Sequence, residues 1–97
     1  MCFTLEEIKH RSVPVAQKYG VKRLGLFGSY ARGEATQESD VDLRIDKGTI
    51  RGLRFAGLLG DLEDALGKHV DLISTGGMDE AFRRSIAREE VLLYERQ

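Results

Sequence analysis

Residues 26–46, with the sequence LFGSYARGEATQESDVDLRID, contain the two features that decide the fold and chemistry of this chain. The first is Gly28-Ser29, a turn that directly follows an apolar segment. The second is the pair Asp40 and Asp42, which begins after a gap of ten residues. Glycine allows close approach of a ligand to the backbone, and the free N–H groups of a helical turn can bind phosphate. Alone, a Gly-Ser turn is more often an ordinary strand exit, so its interpretation depends on the carboxylates.

Segment 40–46 alternates between apolar and charged residues, which is the pattern of a strand with one buried face. Its charged face carries Asp40, Asp42, Arg44 and Asp46. Aspartate is disfavoured in strands and neighbouring like charges repel each other. Either this face is simply solvated, or a bound cation removes the repulsion, and hard carboxylate oxygens suit Mg²⁺ or Mn²⁺. On this strand alone, both interpretations stay open.

A third carboxylate, Asp71, lies in an otherwise apolar segment. A charge in such a strand needs a partner. Asp71 either pairs with Arg44 or Lys68, or joins the two aspartates of segment 40–46 if the strands are neighbours. Three carboxylates and a nucleoside triphosphate can hold two metal ions, one of which lowers the pKa of an attacking hydroxyl. Asp71 would then be a metal ligand or a proton acceptor.

The remaining pattern predicts an α/β (α+β) fold. Thr4 and Glu7 fit a capping box for a first helix that extends to Tyr19, and Pro14 inside it predicts a kink or break near Val13. The later predicted elements are a strand at 21–27, a loop at 33–39, a strand at 40–46 that Lys47-Gly48 breaks, a helix at 51–66, a strand at 69–74, a turn at 76–77 and a helix from Asp79 to about residue 90.

The predicted strands 40–46 and 69–74 flank a helix, so we expect them to be parallel through a right-handed crossover. Segment 91–94 is apolar and fits either a short strand or a helix end. The expected architecture is a small mixed sheet of three to four strands covered by helices. Helical spacing predicts that the inward-facing residues include Leu5, Ile8 and Ala16 on the first helix and Ala81, Phe82 and Ile86 on the last.

Bulk properties limit the function. The 97 residues suit a single domain, 1–97, and the net charge of −1 gives no basic surface for general, direct nucleic-acid binding. Cys2 is the only cysteine, which excludes an intrachain disulfide and a cysteine-based metal cluster. Acidic residues near the start do not fit a signal peptide, and no apolar run approaches the length of a membrane span. We therefore expect a cytoplasmic protein.

The motif segments 26–33 and 39–43 closely resemble the signature of the minimal nucleotidyltransferases of the DNA polymerase beta-like superfamily. The resemblance extends over nearly the whole chain, and it implies the fold of that superfamily. Arg32 lies within the family motif and would either contact phosphate or fix the loop by pairing with a carboxylate. The site implied by the resemblance consists of Gly28 and Ser29 on the β- and γ-phosphates of ATP, Asp40 and Asp42 as ligands of two Mg²⁺ ions, and Asp71 completing the metal set.

Many such proteins resemble antitoxins that are paired with HEPN-domain ribonuclease toxins. The implied reaction is transfer of AMP from ATP to a tyrosine of the toxin, and the chain would form a hetero-oligomer with the toxin or a homodimer. Two alternatives stay open: a non-catalytic antitoxin that masks its partner, and a nucleotidyltransferase acting on a small-molecule hydroxyl.

Two residues near the motifs have roles that the sequence leaves open. Tyr30 follows the Gly-Ser turn and either stacks on a nucleotide base or packs against the turn. His69 lies at the start of the third strand and either approaches the site or has a structural role, which is the more frequent one for such a histidine. A cluster of arginines at 83, 84 and 88 fits a solvated helix face with acidic neighbours.

Overall fold

The structure is a computed structural model that describes residues 3–46, 50 and 52–96. It confirms the predicted mixed α/β class. In chain order, the elements are α1 (Leu5–Tyr19), β1 (Arg23–Phe27), α2 (Gly28–Arg32), β2 (Val41–Asp46), α3 (Leu53–Leu66), β3 (Val70–Ser74), a 3₁₀ turn (Thr75–Gly77), α4 (Glu80–Ala87) and β4 (Val91–Glu95).

The four strands form one sheet in the order β3-β2-β1-β4. Strands β2 and β3 are parallel, as predicted, while β1 pairs antiparallel with both β2 and β4. The ambiguous segment 91–94 is therefore a strand, which lies at the edge of the sheet. The break predicted at Lys47-Gly48 and the predicted helix start at Arg51 fall outside the described residues.

The register gives Asp42 a neighbour on each of the two adjacent strands. Asp42 lies opposite Phe27 in the β1–β2 pair and opposite Asp71 in the β2–β3 pair. The turn that follows β1, the start of β2 and the start of β3 therefore lie side by side at the same end of the strands.

The main core lies between the sheet and helices α1 and α3. Alternate strand residues point to this face, as their period of two requires. Its fully buried members include Ile8 on α1, Leu24 and Leu26 on β1, Val41, Leu43 and Ile45 on β2, and Leu58, Leu62 and Leu66 on α3.

Helix α1 has the predicted capping box: the Thr4 side chain accepts a hydrogen bond from the Glu7 N–H, and the Glu7 side chain accepts one from the Thr4 N–H. The predicted break near Val13 is wrong, because α1 is continuous through Pro14. Pro14 and His10 are both exposed, so water can satisfy the carbonyl that the proline leaves unpaired. The inward position predicted for Leu5 is also wrong, since the buried stripe of α1 starts one turn later.

Helix α4 packs on the opposite face of the sheet and is shorter than predicted, ending at Ala87. A small cluster of Phe27, Met78 and Ile86 holds it there. Ala81 is exposed, and Phe82 is 41% exposed although its ring makes an edge-on contact with Phe27 at 6.3 Å. Only Ile86 of the three predicted inward residues is buried, because so short a helix contacts the sheet through little more than one turn.

Within the described ranges, no helix has both the length and the apolar character needed to cross a membrane.

Candidate active site

The Gly-Ser turn lies directly against a carboxylate of β2. Gly28 has a φ of +77°, in the left-handed region that favours glycine. A Cβ atom at Gly28 would overlap the carboxylate of Asp42, whose Cγ would be only 2.9 Å away. Helix α2 starts at Gly28, and the Ser29 carbonyl accepts the Glu34 N–H at 2.9 Å just after its end. The structure thus places Gly28 directly against Asp42, with Ser29 as the next residue of the turn.

Asp42 and Asp71 are neighbours across the parallel strand pair, and their carboxyl groups interact. Burial raises the pKa of Asp42 from 3.8 to about 6, helped by a hydrogen bond to Asp71 and by the negative charges of Asp71 and Asp40. The positive charge of Arg32 acts in the opposite direction. The protonated form of Asp42 is favoured first by burial and then by the repulsion between its charge and those of Asp71 and Asp40. A bound cation would offset the same repulsion.

Asp40 immediately precedes β2 and is exposed. Its Oδ2 lies 3.3 Å from Nδ1 of His69, and the same nitrogen lies 3.8 Å from Oδ1 of Asp71. The Val41 N–H donates to the His69 carbonyl at 3.1 Å, which aligns the starts of β2 and β3. The sequence interpretation favoured a structural role for His69 over an approach to the site, and the structure places it beside Asp40 and Asp71. A signal was available, because Asp40 and His69 are the first residues of two strands that the sequence predicts to be parallel neighbours.

The alternative partners considered for Asp71 are engaged elsewhere. Lys68 donates from Nζ to the Gln37 carbonyl at 2.6 Å. Arg44 makes an ion pair with Glu90, with 2.9 Å between Nε and Oε2. Asp71 is therefore part of the carboxylate group and not of a separate ion pair with either cation.

Arg44 argues against one of the two interpretations of β2 that the sequence leaves open, a charged face that is simply solvated. Arg44 lies on that face, but only 7% of the residue's surface is exposed. Glu90 lies between Arg44 and Arg23, with its Oε1 3.0 Å from Arg23. Glycine at position 25 makes room for Glu90, because a Cβ there would overlap its carboxylate. The face therefore carries a buried ion triad beside the aspartates.

Arg32 makes two ion pairs, with Glu34 at 2.9 Å and with Glu89 at 2.7 Å. Both partners raise the pKa of its guanidinium. These contacts are the loop-fixing arrangement that the motif allowed, and they link α2 to the segment that follows α4. They leave the guanidinium exposed at the same end of the sheet as Asp42.

Tyr30 packs against the turn and does not offer its ring to a base. The residue is 5% exposed and belongs to the main core. Within the described part of the chain, its hydroxyl is buried without a hydrogen-bond partner.

The residues present fit a divalent cation. Asp40, His69 and Asp71 can each offer a ligand atom, and these atoms all lie within 4.8 Å of one another. Asp42, although predicted as a metal ligand, is outside this group of three, and its carboxyl group interacts with that of Asp71. Carboxylate oxygens are the ligands that hard divalent cations prefer, and the negative charges of Asp71 and Asp40 add to burial in raising the pKa of Asp42.

The sequence profile of the family described as polymerase beta, nucleotidyltransferase, matches residues 11–97. The chain belongs to this nucleotidyltransferase family. Membership confirms the resemblance carried by the two motif segments and the prediction of a nucleotidyltransferase enzyme.

Individual relatives agree with this assignment. This nucleotidyltransferase is similar to the protein adenylyltransferase MntA of Thermococcus cleftensis, with 38% identity over 94 residues that cover 91% of this chain and 94% of the relative. It is similar to a candidate minimal nucleotidyltransferase of known structure, with 35% identity and a TM-score of 0.79 over 92% of this chain and 95% of that one. Its fold also matches a structure of a tri-AMPylated HEPN toxin from Shewanella oneidensis in complex with MNT antitoxin, with 18% identity and a TM-score of 0.73 over 95% of this chain and 73% of that one.

Proposed function

We propose that this nucleotidyltransferase is a Mg²⁺-dependent protein adenylyltransferase that moves AMP from ATP to a tyrosine of a HEPN-domain toxin and so acts as its antitoxin. The observation that carries the proposal is the position of Asp42. Asp42 lies between the turn at Gly28 and Asp71 on the neighbouring strand. Its carboxylate is so close to Gly28 that no side chain would fit there. A phosphate-binding turn and paired carboxylates within contact of each other are what nucleotidyl transfer requires.

Five of the six predicted site residues have a defined role in this proposal. Gly28 and Ser29 bind the β- and γ-phosphates through the start of α2, where backbone N–H groups are free. Asp40, Asp42 and Asp71 would hold the Mg²⁺ ions. When bound, the cations neutralise charge on the triphosphate and lower the pKa of an attacking hydroxyl.

The reaction needs only a few groups of the chain. The acceptor hydroxyl oxygen attacks the α-phosphorus, a new P–O bond forms, and the bond from that phosphorus to the bridging oxygen breaks so that pyrophosphate leaves. Asp71 is half exposed on the edge strand β3 and is the carboxylate that accepts the hydroxyl proton. The acceptor approaches from the open side of this strand.

The partner assignment rests on relatives. The relative from Thermococcus cleftensis is named a protein adenylyltransferase, and the Shewanella oneidensis structure contains a modified HEPN toxin. By analogy, we assign to this chain a HEPN-domain toxin as acceptor and hetero-oligomer partner. Because ATP is an intracellular substrate, the proposal includes a cytoplasmic location.

The proposal is tested with the product of the gene next to that of this chain, as the candidate HEPN-domain toxin, and with ATP labelled on either the α- or the γ-phosphate. Adenylyl transfer predicts that label from the α-phosphate, and not from the γ-phosphate, enters the toxin. Asp42→Asn should abolish the transfer. Asp46→Asn, a change on the same strand away from Gly28 and Asp71, should not. Transfer of γ-label, or full transfer by the Asp42 variant, would contradict the proposal.

A further inference from the structure

His69 is a third kind of ligand among the carboxylates. It directly precedes β3, and its Nδ1 is within 4 Å of oxygens on both Asp40 and Asp71. Its side chain is 61% exposed, so the imidazole is open to solvent and to an incoming ion. In the part of the chain that the structure describes, these three residues are the group of three that could hold a metal ion.

The geometry of His69 is set by the backbone and not by its own side chain. The Val41 N–H bonds to the His69 carbonyl, and the parallel register then places Asp42 opposite Asp71. Any residue at position 69 would keep this backbone bond. The imidazole can therefore be replaced without loss of the strand pairing, which makes its chemical contribution separable from the fold.

An imidazole changes which cations a carboxylate site prefers. Mg²⁺ is bound by oxygen ligands and gains little from a ring nitrogen. First-row transition metals bind imidazole well, with affinity increasing from Mn²⁺ through Co²⁺ to Ni²⁺. The two carboxylates alone would favour hard cations, whereas the set of two carboxylates and one imidazole favours softer ones.

We propose that His69 is a specificity-determining residue of the metal site, whose imidazole joins Asp40 and Asp71 in binding a transition-metal cation in preference to Mg²⁺. The inference rests on the proposed function in that it concerns the same carboxylates. It adds a ligand and a cation preference that adenylyl transfer with Mg²⁺ does not require.

The test measures the dissociation constants of Co²⁺ and Mg²⁺ by calorimetry on the full chain, without a polyhistidine tag, ATP or partner. The visible absorption of Co²⁺ reports its ligands independently. His69→Gln removes the ring nitrogen, and His69→Asp replaces it with a carboxylate. His10→Gln is the matched control, because His10 is the other histidine of the chain and is exposed on α1.

We expect His69→Gln to weaken Co²⁺ binding at least about tenfold and to change the Co²⁺ spectrum, with Mg²⁺ affinity altered less than about twofold. His69→Asp should shift the preference towards Mg²⁺, and His10→Gln should change neither constant. An unchanged ratio of the two constants in both His69 variants would overturn the inference.

The result separates this inference from the proposed function. If the wild-type chain transfers AMP with Mg²⁺ and His69→Gln binds Co²⁺ like wild type, only the role of His69 fails. If the wild-type chain binds neither cation, the metal site itself fails, and both conclusions fail with it. Equal weakening of both cations by His69→Gln would show a merely structural role and would also overturn the inference.

Discussion

Replacing Asp42 by asparagine should make the metal-free protein more stable while it abolishes nucleotidyl transfer. Asp42 has a pKa of about 6 in the folded chain, above its ordinary value of 3.8. The folded state therefore binds the proton more tightly than the unfolded state. The stabilising contribution of this proton is fully present below about pH 4 and is lost as the pH rises through about 6. An asparagine side chain cannot ionise, so the variant escapes the loss.

The magnitude follows from the change in proton affinity. At about 1.4 kcal/mol for each tenfold change, a pKa that moves from 3.8 to about 6 corresponds to about 3 kcal/mol. The carboxylate of Asp42 is partly exposed, and solvent screening reduces this to about 1 kcal/mol. For a domain of this size, a change of about 1 kcal/mol moves the melting temperature by about 4–8 °C.

The assay is thermal unfolding in EDTA at pH 8 and pH 4. We expect Asp42→Asn to melt about 4–8 °C above wild type at pH 8 and close to wild type at pH 4. Asp46→Asn, on the same strand, should match wild type at both. Mg²⁺ should raise the melting temperature of wild type at pH 8 more than that of the Asp42 variant. An Asp42 variant less stable than wild type at pH 8, or an equal gain at both pH values, would refute the reasoning.

Three further changes test other parts of the structure. Gly28→Ala should cost about 1–3 kcal/mol, because a Cβ at positive φ is strained and overlaps the Asp42 carboxylate, and both urea unfolding and a transfer assay should show the loss. An effect no larger than that of an alanine at Gly60, where no atom lies within 4 Å of the added Cβ, would contradict it. Arg32→Ala should weaken ATP binding about tenfold, measured by calorimetry, because a charged hydrogen-bond donor near Asp42 is lost; unchanged binding would restrict Arg32 to fixing the loop. Glu90→Gln should lower the free energy of unfolding, measured in urea, by about 3 kcal/mol, because it leaves buried Arg44 without its anion. A cost below about 1 kcal/mol, which is the range of a surface ion pair, would contradict this and show that water screens the triad.

The fold could be predicted where local sequence signals decide it. The Thr4–Glu7 capping box, the glycine after each long helix and the alternation along 40–46 each depend on residues close in the chain, and the structure has the corresponding elements. The sequence predicts that Asp71 joins Asp42 only if their two strands, which are distant in the chain, are neighbours in the sheet. The parallel register settles that condition.

The errors concern properties that depend on distant partners. The sequence shows Arg44 as one charge on a polar strand face, and nothing local indicates that Glu90, 46 residues later, buries it between strands. Pro14 is a helix breaker by its local chemistry, yet it is tolerated because its side of α1 faces water. His69 lacked a ligand spacing with the chain's other histidine, and only the strand register brings it to Asp40.

The central claim is that this chain transfers AMP to a partner protein, and the intact mass of that partner tests it most directly. The product of the neighbouring gene, as the candidate HEPN-domain toxin, is incubated with ATP, Mg²⁺ and either wild type or the double variant Asp40→Asn/Asp42→Asn. The account predicts a gain in whole steps of about 329 Da on a tyrosine with wild type alone. A toxin of unchanged mass that both proteins nevertheless neutralise by forming a stable complex would contradict it and would indicate a binding antitoxin.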